Sequence, residues 1–263
     1  MGSTETAAAA NIRTALAGSV LEVEIHRPEK KNALTGDMYA GLAAALDRAA
    51  TDGAVRAILL TGTRESYCSG NDIADFLARP PSSEASPVMQ FLVRIQAAEK
   101  PIVAAVNGMA VGIGTTMLLH CDYVVAGEGA SFSLPFVNLG LCSEAASSLL
   151  LPATIGHRRA AEMLLFGDRI DARRAFEWDL VNAVVPDGEV LEAGRKRAQA
   201  LAAKPAEALR TTKAFLKRQL GNAARERIAE EGREFARLLH EPAAREALTA
   251  FVEKRPPNPE RYK

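Results

Sequence analysis

The chain has 263 residues, 48% of them hydrophobic, with 32 Lys plus Arg against 32 Asp plus Glu. That content supports one substantial core, and the balanced charge offers no global field for nucleic acid or anionic lipid. Aromatic residues make up only 5%, so the mixed basic and aromatic face of an RNA binder has no footprint.

The opening "MGSTETAAAANIRT" lacks the basic start and apolar centre of a signal peptide. "VLEVEIHRP" (20–28) alternates apolar and polar residues, as a half-buried strand does. In the segment that follows, Thr35 is placed to cap a helix whose Leu42, Ala45, Leu46 and Ala49 share one face. "VRAILLTG" (55–62), "IVAAVNG" (102–108) and "CDYVVAG" (121–127) read as buried strands. Strands alternating with helices predict an α/β architecture around a largely buried sheet. "LARPPSSEASP" (77–87) reads as a mobile loop. The uncharged run 101–119 approaches membrane-span length. Asn107, Gly108, Gly112 and Gly114 interrupt it, which favours a strand, a turn and a helix instead. Beyond Lys204 no strand-like run returns. The helix around "ARERIAEEGREFARLLH" turns Ile228, Phe235, Leu238 and Leu239 to one side, with its mixed charges facing mostly away. No internal repeat is evident.

Cys68, Cys121 and Cys142 lie far apart and form no CxxC pair, consistent with reduced thiols in a cytoplasm-like compartment. The four histidines show no metal-ligand spacing, so no metal site is expected. Trp178 is assigned to the core, and Cys68, without an evident partner histidine, is discounted as a nucleophile.

Two turns invite a ligand. In "YCSGNDI" (67–73), Gly70 permits close approach of the backbone, and Asn71 and Asp72 can start a helix. "NGMAVGIGTT" (107–116) is neither a dinucleotide fingerprint nor a phosphate loop. Taken alone, the first turn reads as a loop with a helix cap, and the second has close packing of helix on strand as its alternative. Together they could supply two backbone N–H donors to a developing oxyanion, and one carboxylate in an apolar cleft would complete proton abstraction beside a carbonyl. Glu144 is the sole ionisable residue of "LGLCSEAASSLLLP" (139–152). Its bland alternative is an acid at a helix start, worth about 0.3–1 kcal/mol.

At these residues the sequence resembles the crotonase, or enoyl-CoA hydratase/isomerase, superfamily over roughly 20–254. "HRPEKKNAL" (26–34) is similar to the family's acyl-CoA-binding loop, "YCSGNDI" and "KPIVAAVNGMAVGIG" to its oxyanion-hole segments, and "AAEMLLFGDRIDARRAFEWDLVNAVVP" (160–186) to its later signature. The resemblance implies a β-spiral core of ββα units over 1–204. A helical region over 205–263 would build trimers or hexamers. It implies that the N–H groups of Asn71 and Ile113 bind the thioester oxygen of an acyl-CoA, with Ser69, Gly70, Gly112 and Phe136 among the substrate-binding residues. Lys30, Lys31 and Ala33, with Asp72 and Ile73, would lie along the CoA arm. No cofactor beyond the substrate's own CoA is implied.

Hydratases of the family use two glutamates, at positions that align here with Thr116 and Phe136. Neither residue can act as a general base at neutral pH. Peroxisomal-type Δ3,Δ2-enoyl-CoA isomerases place their glutamate further along, where this chain has Glu144. The expected activity is therefore a 1,3-proton shift by Glu144 in fatty-acid oxidation, with hydration or a non-catalytic acyl-CoA-binding module as alternatives. Phe132, Phe136, Leu139 and Leu141 are candidates for the acyl pocket or for plain core. "ERYK" at the C-terminus is not a peroxisomal address, and Ala/Arg richness hints at a bacterial, cytoplasmic protein.

Overall fold

The structure, a computed structural model, describes residues 11–79, 83 and 85–262. It opens with the antiparallel hairpin β1 (Ile12–Ala17) and β2 (Val20–Ile25), followed by α1 (Gly36–Thr51). Three strand pairs come next. β3 (Ala57–Thr61) and β4 (Ser66–Cys68) lead to α2 (Ile73–Ala78) and α3 (Pro87–Ala97). β5 (Ile102–Val106) and β6 (Met109–Val111) lead to the single turn α4 (Ile113–Thr116). β7 (Tyr123–Gly127) and β8 (Ser131–Ser133) lead to α5 (Ser147–Ile155) and α6 (His157–Ala161). β9 (Ile170–Asp171), α7 (Ala172–Glu177), β10 (Ala183–Val185) and four helices finish the chain: α8 (Val190–Ala202), α9 (Ala206–Arg218), α10 (Gly221–Leu238) and α11 (Pro242–Val252).

The first strand of each pair enters a six-stranded sheet ordered β1-β2-β3-β5-β7-β10, parallel from β2 onward. The second enters a four-stranded sheet ordered β4-β6-β8-β9. This ββα repeat is the α/β arrangement implied by the resemblance, although the sequence shows no repeat. The short second strands, three residues each, carry too few side chains for a period-2 pattern to register.

Local chemistry explains most boundaries. Thr35 caps α1, its Oγ1 accepting from Met38 N–H at 3.3 Å, and Leu42, Ala45, Leu46 and Ala49 are buried along that helix. Asp72, rather than Asn71, caps α2 through Ala74 and Asp75. β3 and β5 are almost wholly buried, as central parallel strands are. The run 101–119 becomes β5, β6 and a helical turn, and among the described residues no helix is long and apolar enough to cross a membrane. Trp178 is buried, with the guanidinium groups of Arg159 and Arg174 over its ring. Of the loop expected over 77–87, residues 80–82 and 84 lie outside the described residues; Leu77 belongs to α2 and Pro87 starts α3.

The helices after residue 205 carry no strand. α9 is pinned by Lys213, whose Nζ donates to Asp122 Oδ2 at 2.6 Å and Lys100 O at 2.8 Å. α10 packs on α3. Its charges do not all face away: Glu231 is buried among Ala224, Ile228 and Phe235.

Candidate active site

The segments singled out as an acyl-CoA loop and a first glycine turn are stitched together. Leu34 N–H donates to Gly70 O, and Asp72 N–H donates back to Leu34 O, both at 2.8 Å. Ser69 N–H donates to Lys31 O at 3.1 Å. Arg27 donates to Asp72 Oδ2 at 2.7 Å and to Ala33 O at 3.1 Å. Burial pushes the Asp72 carboxyl up, but Arg27 and the Ala74 and Asp75 amides outweigh it and hold the group below its usual value. Lys30 and Lys31 are exposed, and Ile73 packs against the core.

Asn32, not singled out in the sequence, is the pin of this loop. It is fully buried and left-handed (φ 59°); its Nδ2 donates to Ser66 O at 2.6 Å, and its Oδ1 accepts from Arg27 N–H at 2.8 Å. Lys31 before it is left-handed as well (φ 51°), and the readable part of this signal is the residue type, since Asn is enriched in that region.

The two glycine turns touch because β4 and β6 are parallel neighbours. A Cβ at Gly70 would lie 3.2 Å from Val111 O, and one at Gly114 would lie 2.5 Å from Cys68 O. Glycine at 114 is thus required for the turns to approach. The parallel bridge of Asn71 to Leu34 uses the flanking residues' hydrogen bonds, which turns Asn71 N–H away from Leu34. Ile113 N–H opens α4 and has no intrahelical acceptor. Among the described residues neither amide donates to another group. Tyr39 Oη donates to Asn71 Oδ1 at 2.5 Å, which holds that side chain.

Asn71 and Glu144 line one cleft, enclosing about 830 Å³ of empty space continuous with solvent. Its apolar walls come from α2, α3 and α10, notably Phe76, Met89, Leu92, Ile228 and Phe235. Of the two readings open for Phe132, Phe136, Leu139 and Leu141, the structure places them with the core rather than among the residues lining this cleft. Phe132, Phe136 and Leu141 are core and Leu139 packs against it, because their segment turns behind the cleft wall. Phe136 meets Phe235 edge-on at 6.4 Å and stands 3.7 Å from where a Gly112 Cβ would be.

Glu144 is 7% exposed, and its Oε1 accepts from Thr116 Oγ1 at 2.7 Å. Burial raises its pKa from 4.5 to about 7; the Thr116 hydrogen bond opposes the rise and nearby Glu231 adds to it. Such a carboxyl can accept and return a proton near neutrality. Glu144 is no helix cap: Ala145 and Ala146 follow it with φ of 59° and 58°, and α5 begins only at Ser147. Two consecutive left-handed alanines cost roughly 1–2 kcal/mol each. Burial pushes the Cys68 thiol up to about 12, so it is no nucleophile at neutral pH. Among the described residues no cluster could hold a metal ion.

The model of the family described as "Enoyl-CoA hydratase/isomerase" matches residues 16–261. The chain belongs to the enoyl-CoA hydratase/isomerase family. It is 35% identical over 253 residues to a probable enoyl-CoA hydratase of Rhodobacter capsulatus, covering 94% of this chain and 96% of that protein. It is 36% identical over 207 residues to enoyl-CoA delta isomerase 2 of Rattus norvegicus, covering 76% of this chain and 53% of the rat protein. The solved structure of Pseudomonas aeruginosa OdaA superposes with a TM-score of 0.90 at 45% identity, covering 92% of this chain and 98% of that one. The protein is therefore an enzyme of this family, with the family's fold.

Proposed function

We propose that the protein is a Δ3,Δ2-enoyl-CoA isomerase with Glu144 as its single acid–base group. One observation carries this reading: among the described residues Glu144 is the only carboxylate lining the cleft, and it is buried there with a pKa near neutrality. Glu144 takes a proton from C2 of a 3-enoyl-CoA, and the C2–H electrons delocalise onto the thioester oxygen. The Asn71 and Ile113 amides accept that oxygen's charge by donating to it. Glu144 then delivers the proton to C4, and the double bond ends between C2 and C3. The CoA arm runs by Lys30, Lys31 and Ala33, and no further cofactor takes part. A 1,3-shift needs one group that serves as base and then acid, whereas hydration needs water activated on both counts. Thr116 donates its hydroxyl to Glu144, and Phe136 brings no proton chemistry. An apolar cleft also disfavours water. The helical region after residue 205 is assigned to trimer or hexamer formation.

The test is product identification by mass and chromatography from 3-enoyl-CoA and, separately, from trans-2-enoyl-CoA, with wild type and Glu144→Ala. Isomerisation without mass change, lost in the variant, is the expected result. Addition of water to the second substrate by wild type would make it a hydratase. Tight CoA-ester binding without turnover would make it a binding module.

A further inference from the structure

We infer that Glu231 is a positioning residue for Glu144: a buried carboxylate on α10 that clamps the strained turn delivering the base into the cleft. The proposal rests on Glu144 acting as the base. Glu231 is 6% exposed and has no cationic partner among the described residues' ion pairs. Its oxygens are spent on the Glu144 segment instead. Oε2 accepts from Ala146 N–H at 2.7 Å, and Oε1 accepts from Ser143 Oγ and Ser148 N–H, each at 3.1 Å. These donors bracket Glu144 on both sides, and Ala146 is one of the two left-handed alanines. From another element, His120 Nε2 lies 2.9 Å from Ala145 O. Burial lowers the pKa of that imidazole to about 4, so it is neutral and holds its hydrogen on Nε2 to donate. The turn is thus gripped by a carboxylate on its amides and an imidazole on its carbonyl.

A carboxylate in this position is not needed to hold α10 down. Ala224, Ile228 and Phe235 occupy the same buried stripe, and an apolar residue would continue it. What an apolar residue lacks is three acceptor positions for orphan donors. The helix that supplies the clamp also supplies Ile228, Gly232 and Phe235 to the cleft wall. Acyl chain and base are therefore registered against one helix. Titratable and charged groups near Glu144 are Tyr39 on α1, Cys68 at the end of β4, Cys142 and His120 on the flanking segments, and Glu231 and Arg233 on α10. Glu231 is the one whose charge raises the Glu144 pKa.

The test is steady-state isomerisation of 3-hexenoyl-CoA over pH by wild type, Glu231→Gln, Glu231→Asp and Glu144→Gln, with circular dichroism as the folding control. Glu231→Gln keeps the size but lacks the charge, and its NH2 faces donors. Its kcat should fall about 10- to 100-fold, the order expected of a base displaced by about 1 Å, with KM within about threefold. Its acid limb should move to lower pH. Glu231→Asp should lose rate while keeping the acid limb in place, because it retains the charge but falls one methylene short. A folded Glu231→Gln with wild-type kcat and acid limb, beside an inactive Glu144→Gln, overturns the clamp alone. An active Glu144→Gln overturns the base reading and the clamp with it. Should Glu231→Gln not fold, Ser143→Ala removes one donor and should lower kcat about threefold at constant KM; an unchanged kcat there overturns the proposal.

Discussion

Replacing Glu144 by Gln should stabilise the fold at alkaline pH while abolishing isomerisation. The native state holds the Glu144 proton more tightly than the unfolded chain does, with a pKa of about 7 against 4.5. Between those values the folded protein binds more protons, so stability falls as pH rises through that window and stays lower above it. Each pKa unit is worth about 1.4 kcal/mol, so the ionised carboxylate carries a penalty on the order of 3 kcal/mol. Gln keeps an oxygen to accept from Thr116 Oγ1 and drops the charge. The variant should gain close to that amount at about pH 8 and almost nothing at about pH 4.5. For a chain of this size that corresponds to roughly 5–10 °C in Tm at the alkaline end. The assay is thermal denaturation of both proteins at fixed protein concentration from about pH 4.5 to pH 9, with Tm difference plotted against pH. A difference that is flat over the range, or that shrinks as pH rises, refutes the claim that burial raises the Glu144 pKa.

Gly114→Ala should lower kcat/KM about 100-fold with little change in circular dichroism, because its Cβ would sit 2.5 Å from Cys68 O and force the two glycine turns apart. Steady-state kinetics beside the spectrum tests this, and an unimpaired variant would show that turn spacing does not matter. Lys213→Met should cost about 2–3 kcal/mol in denaturant unfolding, since it takes the cation from Asp122, whose side chain is 28% exposed and keeps the Ile102 N–H donor, and frees Lys100 O. A loss below about 0.5 kcal/mol would place that ion pair among the negligible surface pairs.

Much of this molecule is determined by chain-local chemistry. Buried parallel strands such as β3 and β5 are legible because both faces are covered and every position but Thr61, at the end of β3, is apolar. Thr35 is legible as a cap because capping is settled within four residues. Glu144 drew notice as one charge in an apolar stretch, and the family was identifiable from several ordered motifs. β4, β6 and β8 were not legible, since three-residue strands gain their stability from a sheet assembled across distant segments. The cleft wall was not legible for the same reason. Leu139 and Leu141 are neighbours of Glu144 in sequence, but Phe76, Met89 and Phe235 are its neighbours in the cleft. Glu231 falls three residues after Ile228 and four before Phe235, on the apolar side of a helix whose charges were expected to face mostly away, so its burial was not read from the sequence. What it binds lies more than eighty residues away in the chain. Residue type and spacing determine which groups must be buried; only the tertiary fold decides which partner meets each one. A pKa near 7 at Glu144 belongs to that second kind, because it arises from the burial and the neighbouring charge that the assembled chain imposes.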